Sequence, residues 1–84
     1  MAYKGEGPIT VAQLRAARAL LGWSQTELGN QAGLSLPTVK RVETGHGPKV
    51  SDEARQKLRA ALEAAGIEFL DGNAPGVRLK PRRR

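Results

Sequence analysis

The chain has 84 residues and a formal net charge of +6, with 39% of its residues hydrophobic and 26% charged. These values predict one globular domain near the lower end of the sizes that fold alone. The absence of cysteine excludes disulfides and a thiolate metal site, and the single histidine makes no zinc site without several carboxylate partners. No apolar run approaches the ~20 residues of a membrane span, and no signal-peptide pattern opens the chain. We therefore expect a cytoplasmic protein without metal or cofactor.

The positive charge is concentrated towards the C-terminus. Residues 78–84 carry five positive charges and no acid, which leaves the rest of the chain at +1. A basic balance of this kind favours nucleic acid or an anionic membrane surface as the partner. We favour nucleic acid, because no helical segment pairs a cationic face with a large, aromatic-rich apolar face.

The first predicted helix follows an irregular segment. Residues 1–8 contain two glycines and a proline without periodicity, which predicts a flexible arm. Thr10 opens the helix, with Gln13 completing a capping box, and Gly22 ends it. One face of this helix is apolar at helical spacing: Val11, Leu14, Ala17 and Leu21.

Two shorter helices follow, at about 25–32 and 36–44. Ser24 and Glu27 form a second capping box, in which each side chain accepts a bond from the other residue's backbone N–H. Gly33 lies between the helices, where a left-handed turn is accessible to glycine at little cost. The pattern therefore predicts two helices joined by a tight turn.

The second of these helices has a polar, cationic face. Ser35 is its predicted N-cap, and Thr38, Lys40 and Arg41 point outward while the bulky apolar residues lie on the other side. This arrangement is typical of a helix-turn-helix, whose second helix enters a DNA major groove. The alternative is a helical hairpin that only builds a core, but the cationic pair and the tight turn count against it.

A fourth helix and a β-hairpin complete the predicted elements. The composition of residues 45–50 predicts a loop, Ser51 caps the fourth helix, and Gly66 closes it. Residues 67–70 and 77–80 then resemble short strands separated by turn residues, which predicts a hairpin. The predicted inner face of the fourth helix consists of Ala54, Leu58, Ala61, Leu62 and Ala65.

An isolated two-stranded hairpin is marginal in water, so this one needs a cover. Period-two alternation puts four apolar residues on the faces to be covered: Ile67, Phe69, Val77 and Leu79. We predict that they make or support a homodimer, either edge to edge or by packing on the fourth helix of the other subunit. The alternative is a hairpin folded onto its own helices, with the fourth helix alone making the dimer.

The stretch from about Val11 to Leu62 resembles the Cro/repressor-type, or XRE-type, helix-turn-helix family. The residues that carry the resemblance are Arg18, Gln25, Glu27, Leu28, Ala32, Gly33, Leu34, Ser35, Val39, Glu43 and Gly45. Gly29 departs from the family, which usually has alanine there, and the family commonly has five helices rather than four and a hairpin.

The resemblance implies a mostly α, lambda-repressor-like helix-turn-helix bundle, for which the residue patterns predict about four helices and a C-terminal β-hairpin. We divide the chain accordingly into an arm, a helix-turn-helix domain, a hairpin and a basic tail: residues 1–8, 9–66, 67–80 and 81–84.

The resemblance also assigns roles in DNA binding. The residues that would face base edges are Leu36, Pro37, Thr38, Lys40 and Arg41. Arg41 is the best candidate for a bidentate bond to guanine, whereas Lys40 reaches either a base or a phosphate. The alternatives are a capping role for Thr38 and a solvated face for the two cations.

Phosphate contacts and a structural ion pair are expected around that helix. The residues predicted to contact phosphate are Gln25, Thr26, Lys49, Arg82, Arg83 and Arg84. In the family pattern the residues at Arg18 and Glu43 form a bridge beneath the recognition helix, a structural role. His46 belongs to the predicted loop, where a solvated side chain is the favoured interpretation.

The sequence therefore predicts a sequence-specific regulator of transcription that binds double-stranded DNA, most simply a repressor acting as a homodimer on a palindromic operator. The alternative is an antitoxin or adaptor whose main role is to bind a partner protein. An enzyme is not expected, because the sequence has no nucleophile–base set, metal cluster or phosphate loop.

Overall fold

The computed structural model describes residues 9–44, 52–70 and 74–81. Its elements in chain order are α1 (Val11–Leu21), α2 (Gln25–Ala32), α3 (Leu36–Thr44), α4 (Asp52–Ala64), β1 (Ile67–Leu70) and β2 (Gly76–Leu79). The two strands pair antiparallel. This confirms the predicted mostly α fold of four helices followed by a hairpin.

The capping box predicted for α1 is formed. The Thr10 hydroxyl accepts a hydrogen bond from the Gln13 N–H at 3.0 Å, and the Gln13 side-chain oxygen accepts one from the Thr10 N–H at 2.9 Å. These bonds satisfy two backbone donors near the start of the helix. At the other end the chain leaves α1 through Gly22, as predicted.

One apolar core joins all four helices to the hairpin. Its buried members are Leu14, Ala17, Leu28, Val39, Val42, Ala54, Leu58, Leu62, Ile67 and Phe69. Val77 of β2 is half-buried against this cluster. The hairpin, which the sequence pattern set apart at residue 67, therefore shares its core with the helices.

The first strand has its predicted limits, whereas the second is shifted by one residue. Leu70 pairs with Gly76, so β2 begins one residue earlier than the predicted strand at 77–80. Lys80 lies beyond β2, but its N–H still donates to the Gly66 carbonyl at 2.9 Å. The hydrogen-bonded ladder therefore includes Gly66 and Lys80, which lie one residue before β1 and one residue after β2.

Gln13 fastens the hairpin to α1. Besides accepting from Thr10, its buried side chain donates through Nε2 to the carbonyl oxygens of Leu70 and Gly76, at 2.8 and 2.9 Å. Both functional atoms of this amide are thus occupied, as burial of a polar group requires. The capping role of Gln13 was predicted from the sequence, whereas its contacts with the hairpin were not.

The hairpin is covered by the chain's own helices, with β1 against α4 and β2 against α1. Ile67 and Phe69 are only 2% and 3% exposed, and the Arg59 guanidinium lies over the Phe69 ring, 5.2 Å from its centroid. These two side chains are core residues of the single chain, and their predicted support of a dimer stays a prediction. Leu79, at 38% exposure, is still available to a partner.

Candidate nucleic-acid interface

The turn between α2 and α3 is tightly built. Gly33 takes the left-handed conformation, with φ of +71°, and the Leu34 N–H donates to the Gly29 carbonyl at 2.9 Å. A Cβ at Gly29 would lie 2.7 Å from the Leu34 carbonyl oxygen, too close for the backbone to accept without moving. The glycine at 29 therefore allows the turn to fold back closely onto α2.

Serine hydroxyls cap both helices. Ser24 Oγ accepts from the Glu27 N–H at 3.0 Å, which is the serine half of the predicted capping box. The Glu27 carboxylate instead accepts from Gln31 Nε2 at 2.6 Å, one helical turn further on. At α3, Ser35 Oγ accepts from the Thr38 N–H at 3.3 Å and lies 2.9 Å from the Thr38 hydroxyl.

A buried ion pair connects α1 with α3. Arg18 donates through Nε to Glu43 Oε2 at 2.7 Å and through Nη2 to Oε1 at 2.9 Å, a two-bond fork of the strong kind. The same guanidinium donates through Nη1 to the Trp23 carbonyl at 3.0 Å. The Glu43 side chain is 1% exposed and that of Arg18 is 21% exposed.

Gln25 joins this ion pair from α2. Its Nε2 donates to Glu43 Oε1 at 3.1 Å, so Glu43 is held by side chains from two other helices. A carboxylate buried to this degree is stable only when it is paired and hydrogen-bonded. The bonds therefore fix where α3 lies relative to α1 and α2.

One face of α3 packs on the core and the other points away from it. The buried residues of this helix are Val39, Val42 and Glu43. Positions 37, 40, 41 and 44 follow the i, i+3, i+4, i+7 spacing of one helix face, and Pro37, Lys40 and Thr44 are exposed while Arg41 is half-buried. This outer face of α3 therefore presents two cations, an apolar ring and the Thr44 hydroxyl, which itself donates to the Arg41 carbonyl at 3.2 Å.

Residues 11–69 match a family model described as a helix-turn-helix domain, which covers more than two thirds of the chain. The chain belongs to the helix-turn-helix family. The match is consistent with the Cro/repressor-type resemblance and supports a DNA-binding regulator in general. No curated protein matches this chain.

The five residues expected to read bases differ in their exposure to solvent. Pro37 and Lys40 are exposed, whereas Leu36, Thr38 and Arg41 are half-buried. The Thr38 hydroxyl is engaged with Ser35, which is the capping arrangement that the sequence left open as an alternative. Thr44, which was not among the predicted residues, shares the outer face, and its spacing from Arg41 and Pro37 is the signal that could have found it.

The start of α2 is the second part of the candidate interface. The backbone N–H groups of Gln25 and Thr26 come before the first intrahelical donor, Leu28, which bonds the Ser24 carbonyl. Free N–H groups at a helix N-terminus attract anions such as phosphate. Thr26 is exposed, and Gln25 is half-buried because its amide serves Glu43.

The other predicted phosphate contacts lie outside the described residues: Lys49, Arg82, Arg83 and Arg84. The same holds for His46, the cap Ser51 and the arm at 1–8. Within the described ranges there is no group of three or more histidine, aspartate or glutamate side chains that could hold a metal. None of the four described helices is long and apolar enough to cross a membrane.

Proposed function

We propose that this protein is a sequence-specific transcriptional regulator, a repressor that binds a palindromic operator as a homodimer in the cytoplasm. The observation that carries the proposal is the outer face of α3, which presents Lys40 and Arg41 on a helix anchored from behind by the Arg18–Glu43 pair. A recognition helix must be held rigidly while its outward side chains reach base edges.

Arg41 is the residue we propose for base recognition. Arg41 is half-buried, and long cationic side chains in such places pack their apolar stem along the protein while they keep the charged end in water. A guanidinium matches the O6 and N7 acceptors of guanine in the major groove, with two bonds to one base. Pro37, one turn earlier on the same face, supplies an apolar contact suited to a thymine methyl.

Phosphate contacts would set the orientation of the helix-turn-helix on the duplex. The proposed donors are the backbone N–H groups at the start of α2, the side chains of Gln25 and Thr26, and the cations Lys49 and Arg82–Arg84. An amide nitrogen carries two hydrogens, so the Gln25 bond to Glu43 leaves one for a phosphate. Such contacts position the protein without reading sequence.

The palindromic operator follows from two-fold symmetry. A two-fold dimer that places one α3 in each of two successive major grooves needs half-sites about 34–36 Å apart, or one helical turn. Pairing two half-sites also raises the discrimination that a single short helix can supply.

Selection of DNA from a random pool by the full chain tests this function. We expect enrichment of an inverted repeat whose half-sites are about 10 base pairs apart from centre to centre. Recovery of unrelated sequences, bound no more tightly than the starting pool, would contradict sequence-specific regulation. Enrichment of a single unrepeated half-site would contradict the palindromic operator.

A further inference from the structure

The hydrogen-bonding pattern of the hairpin shows which backbone groups face outward. The Lys80 N–H donates to the Gly66 carbonyl, and in an antiparallel ladder hydrogen-bonded pairs alternate with non-bonded ones. Counting from that bond, the pairs that bond within the hairpin are Glu68–Arg78 and Leu70–Gly76. The N–H and C=O groups of Val77 and Leu79 therefore point away from β1.

The two edges of the hairpin differ in accessibility. On the β1 edge the outward groups belong to Ile67 and Phe69, whose near-complete burial leaves no room for another strand. On the β2 edge they belong to Val77, which is half-buried, and to Leu79, which is exposed. Of the two edges, β2 is the one open to pairing.

The sequence around β2 is symmetric about Arg78 in residue type at positions 75, 77, 79 and 81. Residues 75–81 read P-G-V-R-L-K-P, with an aliphatic residue on each side of Arg78 and a proline three positions away in both directions. Both prolines fall on the outward-facing positions and lack an N–H, so neither can donate to another strand. Between them the edge offers two donors and two acceptors, those of Val77 and Leu79.

A second copy of the same chain satisfies all of these groups in one register. With a two-fold axis at Arg78, Val77 of each copy pairs with Leu79 of the other, and the prolines face only each other. Shifting the register by two residues places a proline opposite one of the aliphatic residues and leaves that residue's carbonyl without a donor. This symmetry favours a second copy over an unrelated strand.

Two exposed apolar side chains lie on β2 and on α1, the helix that packs against it. Leu20 and Leu79 are the large hydrophobic residues of the described chain that are exposed, at 47% and 38%. Leu79 lies on β2 itself, and Leu20 lies on α1, the helix that packs against β2, seven residues after Gln13 and so on the same side of that helix. Strand pairing at β2 would bring further apolar surface to both leucines.

The charges at the centre of this register are balanced. The two Arg78 side chains would be neighbours, and like charges directly opposite each other are destabilising. Each one, however, donates through Nη2 and Nε to Glu68 Oε1 at 2.7 and 3.0 Å. The row across the joined strands would then read Glu–Arg–Arg–Glu, with no net charge.

We infer that β2 pairs antiparallel with β2 of a second copy, centred on Arg78, to form a continuous four-stranded sheet. The inference rests on the proposed homodimer and names its interface, with Leu20 and Leu79 as the adjoining apolar contacts. It leaves α3 of each copy free for DNA.

The test is amide hydrogen exchange measured against protein concentration, together with sedimentation. We expect the Val77 and Leu79 amides to become protected as the dimer forms, while the Arg78 amide, bonded within the hairpin, is protected throughout. Val77→Pro removes an outward donor and leaves the bonds within the hairpin in place. It should weaken dimerisation about 5- to 100-fold, since the two-fold axis doubles the effect.

Leu79→Lys places a charge at the same edge and should also weaken the dimer. Ala60→Lys, on the exposed side of α4, adds the same charge elsewhere and should leave the dimer unchanged. A chain that is monomeric at all concentrations, or a dimer without added protection at Val77 and Leu79, overturns the inference. Selective DNA binding is measured separately, so β2 pairing in a protein that reads no DNA would support this interface and contradict only the proposed function.

Discussion

Glu43 accepts three hydrogen bonds in a place where water hardly reaches it. Arg18 and Gln25 supply these bonds from two different helices. The Glu43 side chain therefore connects α3 with both α1 and α2. Glu43 and its neighbour Val42 are both buried, so Glu43 lies on the inner side of α3 and not on its outer face.

Replacing Glu43 by alanine should lower the free energy of unfolding by about 3 kcal/mol, the lower part of the range for breaking a buried pair. We choose the lower part because Arg18 retains some contact with solvent. Thermal and urea unfolding measure the effect. Glu53→Ala is the control, because Glu53 lies on the surface in an i, i+4 pair with Lys57, and it should change stability by less than about 1 kcal/mol. Equal melting temperatures for Glu43→Ala and the parent would refute the structural role.

For the helices and turns, the sequence predicted the features that depend on near neighbours in the chain. The Thr10–Gln13 capping box and the left-handed turn at Gly33 both appear as expected, because caps and turns join residues a few positions apart. The contacts of Gln13 with Leu70 and Gly76 were not predictable in this way, since they join residues far apart in the chain. These contacts depend on how the hairpin packs against α1, which local sequence patterns do not predict.

In the candidate site, too, some features follow from near neighbours in the sequence and others depend on how the helices pack. The outward position of Lys40 follows from helical periodicity and was predicted. The bond from Gln25 to Glu43 and the burial of Glu43 itself depend on the packing of three helices. The resemblance supplied the Arg18–Glu43 pairing, which residue spacing alone does not predict.

At Gly29, helix propensity and packing predict opposite effects of alanine on the stability of the protein. Propensity alone makes Gly29→Ala stabilising by about 1 kcal/mol. The added Cβ would meet the Leu34 carbonyl at 2.7 Å, and such overpacking costs about 1–3 kcal/mol. We therefore expect a net destabilisation of about 1 kcal/mol in chemical unfolding. Asn30→Ala, exposed in the same helix, is the control and should stabilise by a few tenths. A higher melting temperature for Gly29→Ala than for the parent would show that the turn has room for a methyl group.

For the molecule as a whole, the uneven charge predicts the salt dependence of DNA binding. Removing Arg82–Arg84 should weaken binding to all DNA sequences about equally. The slope of log affinity against log salt should flatten by about 0.9 for each phosphate that the shortened chain no longer neutralises. Replacing the three arginines by lysine keeps the charge and should preserve the slope. An unchanged slope after deletion would mean that the tail does not bind phosphate.

If α3 reads base sequence through Arg41, the preference of the protein for its operator over scrambled DNA depends on that side chain. The affinities of the parent and of Arg41→Ala are measured for the selected operator and for the same DNA scrambled. We expect the operator-to-scrambled ratio to fall about 5- to 150-fold, because a bidentate base contact is worth about 1–3 kcal/mol. Arg15→Ala removes an exposed cation from α1 and should leave the ratio unchanged. Equal weakening on both DNAs by Arg41→Ala would assign Arg41 to phosphate and contradict base recognition by this residue.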